Sequence, residues 1–337
     1  MGGLSRFVIN RSIQGVITVV VVTSLVFILF EAMPGDPLAR FNLDPKFKSN
    51  PGAVARLRSD FGLDQPELTR YFVFMRNMFT FQFGPSFFYT RPVSSILADA
   101  LPRTLGLFGT ATVITYLLGI VIGSRIGWKR GGAGEGGWIL FSLFFYNMPS
   151  FWIGLIFIWI FAFKLGWFPL SGFQSANIND LIDKFPFLKG LGSGFQGAFD
   201  YIWHLILPLV VLILISLAGV ILLMRTSLLE VLKEDYILTA RAKGLPENVV
   251  RRHHANRNAY LPVVTSFTIA LAYSVGGAII LENIFTYQGV GYFFLQSIIQ
   301  QDHFLAGATL FILSLLVIVG NIVADLLYAW LDPRVRL

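Results

Sequence analysis

Leu205–Met224 reads LILPLVVLILISLAGVILLM, twenty residues without a charge, closed by His204 on one side and Arg225 on the other. An α-helix rises about 1.5 Å per residue, so this run is about 30 Å long, the thickness of a bilayer's hydrocarbon core. Five further runs of similar character flank it. Ser12–Phe30 lies between Arg11 and Glu31, and Thr104–Ser124 between Arg103 and Arg125. Trp138–Phe163 is free of charge and contains Asn147 and Pro149. Asn258–Leu281 lies between Arg257 and Glu282, with Pro262 near its start, and Phe304–Ala324 ends at Asp325. Backbone polar groups in lipid must be satisfied within their own segment, so each run is predicted to be a helix. The expected fold class is an all-α membrane protein with six transmembrane helices.

Composition agrees. Of 337 residues, 55% are hydrophobic and only 13% charged, where an average soluble domain is about 25% charged; mean hydropathy is +0.67. The net charge of +7 does not point to nucleic acid, because the cations sit at the ends of apolar runs rather than in a patch interleaved with aromatics. There is no cysteine, which excludes disulfides, thiolate catalysis and Cys-ligated zinc.

The distribution of Lys and Arg sets the expected orientation. With the N-terminus inside, the cytoplasmic side carries fourteen, while the outer side beyond the first loop carries only Lys164, Lys184 and Lys189. The first loop holds nine more, but loops longer than about 60 residues cross largely regardless of charge. Both termini are therefore expected in the cytoplasm. The first run exceeds the 7–15 residues of a signal-peptide core and Phe30-Glu31-Ala32-Met33 offers no A-x-A-like site, so it is expected to remain as a span. Residues 1–31 then form the first span, 32–103 an extracellular loop domain, and 104–337 a core of five spans with a cytoplasmic segment at 226–257.

Within the first loop, Pro51–Gly62 and Pro66–Phe79 have helical spacing, and Tyr71, Phe72, Phe74, Met75, Met78 and Phe79 suit packing on a membrane surface or on neighbouring helices. Lys164–Trp203 is a second outer connection, rich in Gly and Phe and expected to be partly irregular. Gly119, Gly123 and Gly127 have the GxxxG spacing that lets helix backbones approach closely. Gly276 and Gly277 fall mid-way in the fifth run, and Pro149 is read as a kink in the third.

Several chemistries lack their residues. No pair among His204, His253, His254 and His303 has HExxH spacing, and there is neither a G-x-S-x-G elbow nor a G-x-x-x-x-G-K-[ST] loop. Leu170-Ser171-Gly172 is the nearest approach to a membrane-protease serine motif, but it lies outside the runs without an intramembrane His. No charge sits inside any run, which disfavours a carboxylate relay. The energy for any transport must come from another protein; a self-contained channel or a membrane-embedded hydrolase are the competing classes.

The densest polar insert is Asp235–Pro262, DYILTARAKGLPENVVRRHHANRNAYLP. Glu230 to Ala242 is predicted as a helix, broken by Gly244-Leu245-Pro246, with Pro246 in the first turn of a second helix running to Ala259. Small residues at Thr239, Ala240, Ala242 and Gly244 would let another protein approach the turn. A basic loop resting on anionic lipid is an equal reading of the same residues.

This insert resembles the cytoplasmic coupling motif of binding-protein-dependent ABC transporter membrane permeases, in the first-subunit variant of the dipeptide/oligopeptide/nickel branch. The resemblance rests on Asp235-Tyr236, on Thr239-Ala240-Arg241-Ala242-Lys243-Gly244-Leu245, and on Arg257-Asn258-Ala259 before Leu261-Pro262. Leu238 and Thr239 depart from the general Glu-Ala form, and Pro262 lies 18 residues after Gly244, farther than usual. Met33-Pro34-Gly35-Asp36-Pro37, Phe61-Gly62-Leu63-Asp64-Gln65-Pro66, Arg91-Pro92-Val93 with Leu101-Pro102-Arg103-Thr104-Leu105, Glu282-Asn283-Ile284-Phe285 with Gly289-Val290-Gly291, and a C-terminal set of Asn321, Asp325, Tyr328 and Asp332-Pro333-Arg334 are similar to the family's other motifs, in order.

The resemblance implies an importer permease fold in the cell membrane, with both termini cytoplasmic and a large extracellular loop after the first helix. It implies a second homologous permease, two ATPase subunits that hold ATP and Mg, an extracellular substrate-binding protein and a surrounding lipid bilayer. No cofactor in this chain and no nucleic-acid partner are implied. Asp235, Tyr236, Thr239, Ala240, Arg241, Ala242, Lys243, Gly244 and Leu245 would couple to an ATPase. Short peptides are the implied substrate, with oligosaccharides or nickel as alternatives within the branch.

Overall fold

The computed structural model describes residues 2–32, 38, 51–60, 63–86, 88–274 and 279–331. In chain order the helices are α1 Gly2–Glu31, α2 Pro51–Asp60, α3 Glu67–Phe79, α4 Val93–Trp128, α5 Ala133–Asn147, α6 Ser150–Phe157, α7 Ile178–Lys184, α8 Ser193–Val231, α9 Asp235–Ala242, α10 Glu247–Val249, α11 Asn256–Ser274, α12 Ile279–Ile284, α13 Val290–Ile299 and α14 His303–Leu331. Among the described residues the only bridge between extended segments is Pro85 with Pro92. The chain divides into two units, Met1–Thr104 with Val275–Ile279 and Gln288–Leu337, and Leu105–Ser274 with Ile280–Tyr287.

Among the described residues, four helices are long and apolar enough to cross a bilayer: Ile9–Leu29, Val93–Trp128, Ser193–Val231 and His303–Ala324. The third apolar run is broken. Gly134–Asn147 and Ser150–Lys164 bend by 100° at the break, so a single helix with a kink is not what forms. Sequence explains why. Pro149 disfavours helical backbone at Met148, which is extended at φ −80° and ψ 134°, and Pro149 itself caps α6 at φ −59° and ψ 131°. Asn147 turns its side-chain amide back onto the Leu143 carbonyl at 2.7 Å. Beyond α6 the helix winds as a π-helix over Ile158–Lys164. The fifth run forms α11 and α12; Gly276 and Gly277 lie between them, outside the described residues.

In the first unit, α1 packs along α14, with Gly15 against Ile318 and Ile322. A buried cluster joins Val19, Met78, Phe83, Ile96, Phe293 and Phe311. Two of the quoted motifs meet here. Arg103 donates to the Gln288 carbonyl at 3.2 Å, and the Val290 amide donates to the Thr104 hydroxyl at 2.8 Å. Ser86 and the Leu305 amide both donate to buried Asp302, which fixes the entry to α14. Both helices expected in the first loop are present as α2 and α3.

In the second unit, α8 is the axis. Gly119, Gly123 and Gly127 of α4 lie against Val220, Ile221 with Met224, and Arg225 with Leu228. A Cβ at Gly123 would stand 2.7 Å from the Ile221 carbonyl oxygen and 2.8 Å from the Met224 Cβ. The connection before α8 is pinned to its first turns: Ser175 donates through its amide and hydroxyl to buried Asp200, whose carboxylate lies 3.1 Å from His204 Nδ1. Trp203 donates to the Trp167 carbonyl, and Lys184 stands 4.3 Å over the Trp203 ring.

Filling the glycine seam is expected to cost about 1–3 kcal/mol, the range for overpacking. Gly123→Leu should lower the temperature at which the detergent-solubilised protein loses its monodisperse peak by several degrees. Gly219→Ala, where a Cβ meets nothing within 4 Å, should leave that temperature unchanged.

Candidate functional site

The site is the elbow joining α8 to α11. It is not one helix from Glu230 to Ala242. The α8 helix stops at Val231, and a tight turn over 232–234 precedes α9. The turn is closed by Lys233 N to Glu230 O, Glu234 N to Val231 O and Ile237 N to Glu234 O. The turn lets α9 leave the axis of α8 and fold back against it.

The far end of α9 is a Schellman stop. The Gly244 amide donates to the Arg241 carbonyl at 2.9 Å and the Leu245 amide to the Ala240 carbonyl at 3.4 Å, the paired bonds of that motif. Gly244 has φ +73°, and a Cβ there would meet nothing within 4 Å. The requirement for glycine is therefore one of backbone conformation alone, since left-handed backbone costs other residues about 1–2 kcal/mol. Leu245 tucks back onto the cluster that holds Ala240. Pro246 stands one position before α10, at φ −59° and ψ 142°, rather than within its first turn. The second helix also does not end at Ala259. It passes through a π-wound stretch, Val250–Ala255, into α11 and runs to Ser274.

Two residues mount α9 on the second unit. Ile237 and Ala240 enter a cluster with Met224 and Leu228 of α8 and with Val250, Ala255 and Ala259. Full burial of a side chain the size of Ile237 contributes about 1.5–3 kcal/mol. Polar contacts add direction. Asn258 donates to the Tyr236 hydroxyl at 2.7 Å, and Arg241 forms a two-point pair with Glu247 at 2.9 and 3.3 Å across the turn. Trp128, at the end of α4, lies beneath both Arg241 and Arg251, with the guanidinium carbons 5.8 and 6.0 Å from the ring centre.

The exposed side of the elbow carries Asp235, Tyr236, Leu238, Thr239, Arg241, Ala242, Lys243 and Gly244. Of the residues singled out in sequence, Ala240 is buried in the mount and Leu245 is half-buried; the other seven face outward. Leu238 was missed as part of this surface, although it is 69% exposed. Its signal was present: it follows buried Ile237 directly and precedes Ala240, and cannot share their face at helical spacing. Trp128, Glu247 and Asn258 were also missed as supports, and no local pattern joins Trp128 to Arg241 and Arg251, 113 and 123 positions away.

Residues 115–337 match the family described as binding-protein-dependent transport system inner membrane component, and residues 4–108 match its N-terminal companion. The chain belongs to this family. The permease is 34% identical to the oligopeptide transport system permease protein AppB of Bacillus subtilis over 99% of this chain and 100% of the relative. It is 36% identical to the di/tripeptide transport system permease protein DppB of Pseudomonas aeruginosa over 94% of each chain. It is 35% identical to the peptidoglycan transport system permease protein YejB of Agrobacterium fabrum over 85% of this chain and 76% of the relative. A multi-pass location in the inner membrane accords with the permease's apolar helices. Of the motifs that carried the resemblance, Met33–Pro37, Phe61, Gly62 and Asp332–Arg334 lie outside the described residues, as do the side chains of Asp325 and Tyr328.

Ile237→Ala should remove the main anchor of α9, at about 2–5 kcal/mol for a large-to-small core change. Hydrogen exchange by mass spectrometry is expected to show the α9 amides losing protection while those of α8 keep theirs. Arg241→Ala, which breaks an exposed pair, should change α9 protection by less than about 1 kcal/mol.

Proposed function

We propose that this chain is one of two membrane subunits of an ATP-driven importer for short peptides, and that its elbow receives mechanical work from a partner ATPase. The observation that carries this reading is the elbow's construction: a short helix exposed on one side, fixed to the span bundle on the other, and stopped by a left-handed glycine. A surface meant only to rest on lipid headgroups needs cations. This one sets only two cations, Arg241 and Lys243, among Asp235, Leu238, Thr239 and Ala242, a mixture suited to a groove on another protein. The oligopeptide and di/tripeptide permeases named above support the substrate class, as does their match along nearly the whole chain.

In this reading six spans cross the membrane: the four long helices, the broken α5/α6 pair taken as one, and the α11/α12 pair taken as one. Both termini and the 226–257 segment lie in the cytoplasm, 32–103 lies toward the outside, and 104–337 forms the core that encloses the pathway with a second permease. ATP and Mg bind the two ATPase subunits, and an extracellular binding protein delivers the substrate. Seven of the coupling residues, Asp235, Tyr236, Thr239, Arg241, Ala242, Lys243 and Gly244, meet the ATPase; Ala240 and Leu245 hold them in position. Allosteric coupling requires two sites and two global states: the elbow is one site and the pathway the other.

Gly244→Trp in the assembled transporter should abolish substrate-stimulated ATP hydrolysis while membrane insertion stays normal. Gly244→Asn, which tolerates left-handed backbone, should retain most of it. Normal coupling in the Trp variant refutes the role of the elbow. For the substrate, calorimetry on the partner binding protein is expected to give heats with di- to oligopeptides; heats with oligosaccharides or Ni2+ alone would replace the peptide assignment.

A further inference from the structure

The segment that follows α1 is expected from its sequence to be an extracellular loop, yet α3 lies alongside the apolar length of α1. Glu31 is the first charge after the apolar stretch Ile9–Leu29 and pairs with Arg70. From that pair α3 runs back down α1. Tyr71 meets the Ser24 hydroxyl at 2.7 Å, and Phe27 packs edge-on to Tyr71 and tilted to Phe74 at 5.4 and 5.6 Å. At its end, Phe79 and Phe81 stand 5.5 and 6.2 Å from Phe311 and border an apolar groove of about 260 Å3 with Val19 and Ile318. Val19 is the midpoint of Ile9–Leu29. It lies twelve residues from Glu31, about 18 Å along a helix.

The flank of α3 next to the side that meets α1 is apolar and largely exposed. Leu68, Phe72, Met75 and Phe79 recur at intervals of four, three and four, which places them on one face. Leu68 is 70% and Phe72 62% exposed, and Phe81 continues the surface at 52%. The turn that ends α3 leaves no backbone donor open. Thr80 N bonds Arg76 O, Phe81 N bonds Met78 O and Gln82 N bonds Asn77 O, as non-helical backbone in hydrocarbon requires. Thr69, Arg76, Thr80 and Gln82 are exposed polar residues beside this stripe; the Thr80 hydroxyl donates to the Arg76 carbonyl at 2.8 Å, and an Arg stem of this length carries its head toward an interface.

We propose that α3 and its closing turn are a re-entrant, lipid-facing element, with the stripe Leu68–Phe72–Met75–Phe79 in contact with the acyl chains of the leaflet at the C-terminal end of α1. The occupant is lipid because the stripe continues the exposed apolar surface of a membrane span and descends beside it from that span's terminal charge. Part of the 32–103 segment is then membrane rather than extracellular domain.

The absence of cysteine makes the test direct. Single cysteines at Leu68, Phe72, Met75 and Phe79, with Gln65 as the water reference and Leu25 as the in-span reference, carry a nitroxide in the transporter reconstituted in phospholipid vesicles. The ratio of oxygen to nickel-chelate accessibility is expected to rise from position 68 to 79 and to approach the Leu25 value at 79. Chelate accessibility equal to Gln65 at all four positions overturns the proposal in favour of a water-exposed cap. Exclusion of both reagents overturns it in favour of a protein partner on the stripe. Should a label at Phe79 disturb packing, bimane at Phe72 reads the same surface: quenching by bromines on the acyl chains supports the proposal, and its absence refutes it.

Discussion

Everything in the second unit depends on how closely α4 and α8 approach. At Gly119, Gly123 and Gly127 of α4 the backbone and side chains of α8 fill the space left by the missing side chains, to the point that a single carbon at Gly123 would collide with the Ile221 carbonyl. That contact fixes the relative height of the two longest helices. It thereby fixes where Trp128 emerges relative to Met224 and Leu228, the residues on which the elbow is seated. Without the seam, the ring under Arg241 and Arg251 and the apolar socket for Ile237 would not lie at one level.

The elbow combines firm mounting with a bare upper surface. Two apolar residues provide the attachment, while hydrogen bonds and cation–ring contacts set its angle. Of the outward-facing residues, Tyr236 and Arg241 help to set that angle, while Asp235, Leu238, Thr239, Ala242 and Lys243 lie outside the buried cluster. The helix α9 is joined to α8 by a three-residue turn, and through the glycine stop and Leu245-Pro246 to α10, the π-wound stretch and α11.

The long helices were legible because uncharged runs of twenty residues admit few alternatives, and the GxxxG spacing named its contact in advance, though not its partner. Gly244 was legible because few residues but glycine stop a helix in left-handed backbone. The break at 232–234 was not, since Leu232, Lys233 and Glu234 are ordinary helix formers and the burial of Ile237 against Met224, Leu228, Val250 and Ala255 is a tertiary contact. Pro149 announced a disturbance, but its size depends on Met148 also leaving the helical region. Trp128 and Asn258 belong to the site through tertiary contact alone, and Leu238, an apolar residue, gives no sign in its own chemistry of standing on an exposed face.

The π-wound stretch at Val250–Ala255 carries one residue more than a regular helix would need over the same rise. That surplus sets the azimuth of α11: Ala259 and Val263 point into the cluster only because the winding before them is loose. Removing one residue there would restore ideal geometry locally and rotate the rest of α11 by roughly a quarter-turn, carrying its buried face toward its surroundings. In this part of the molecule the reading frame of the helix, more than its composition, decides what the membrane core contains.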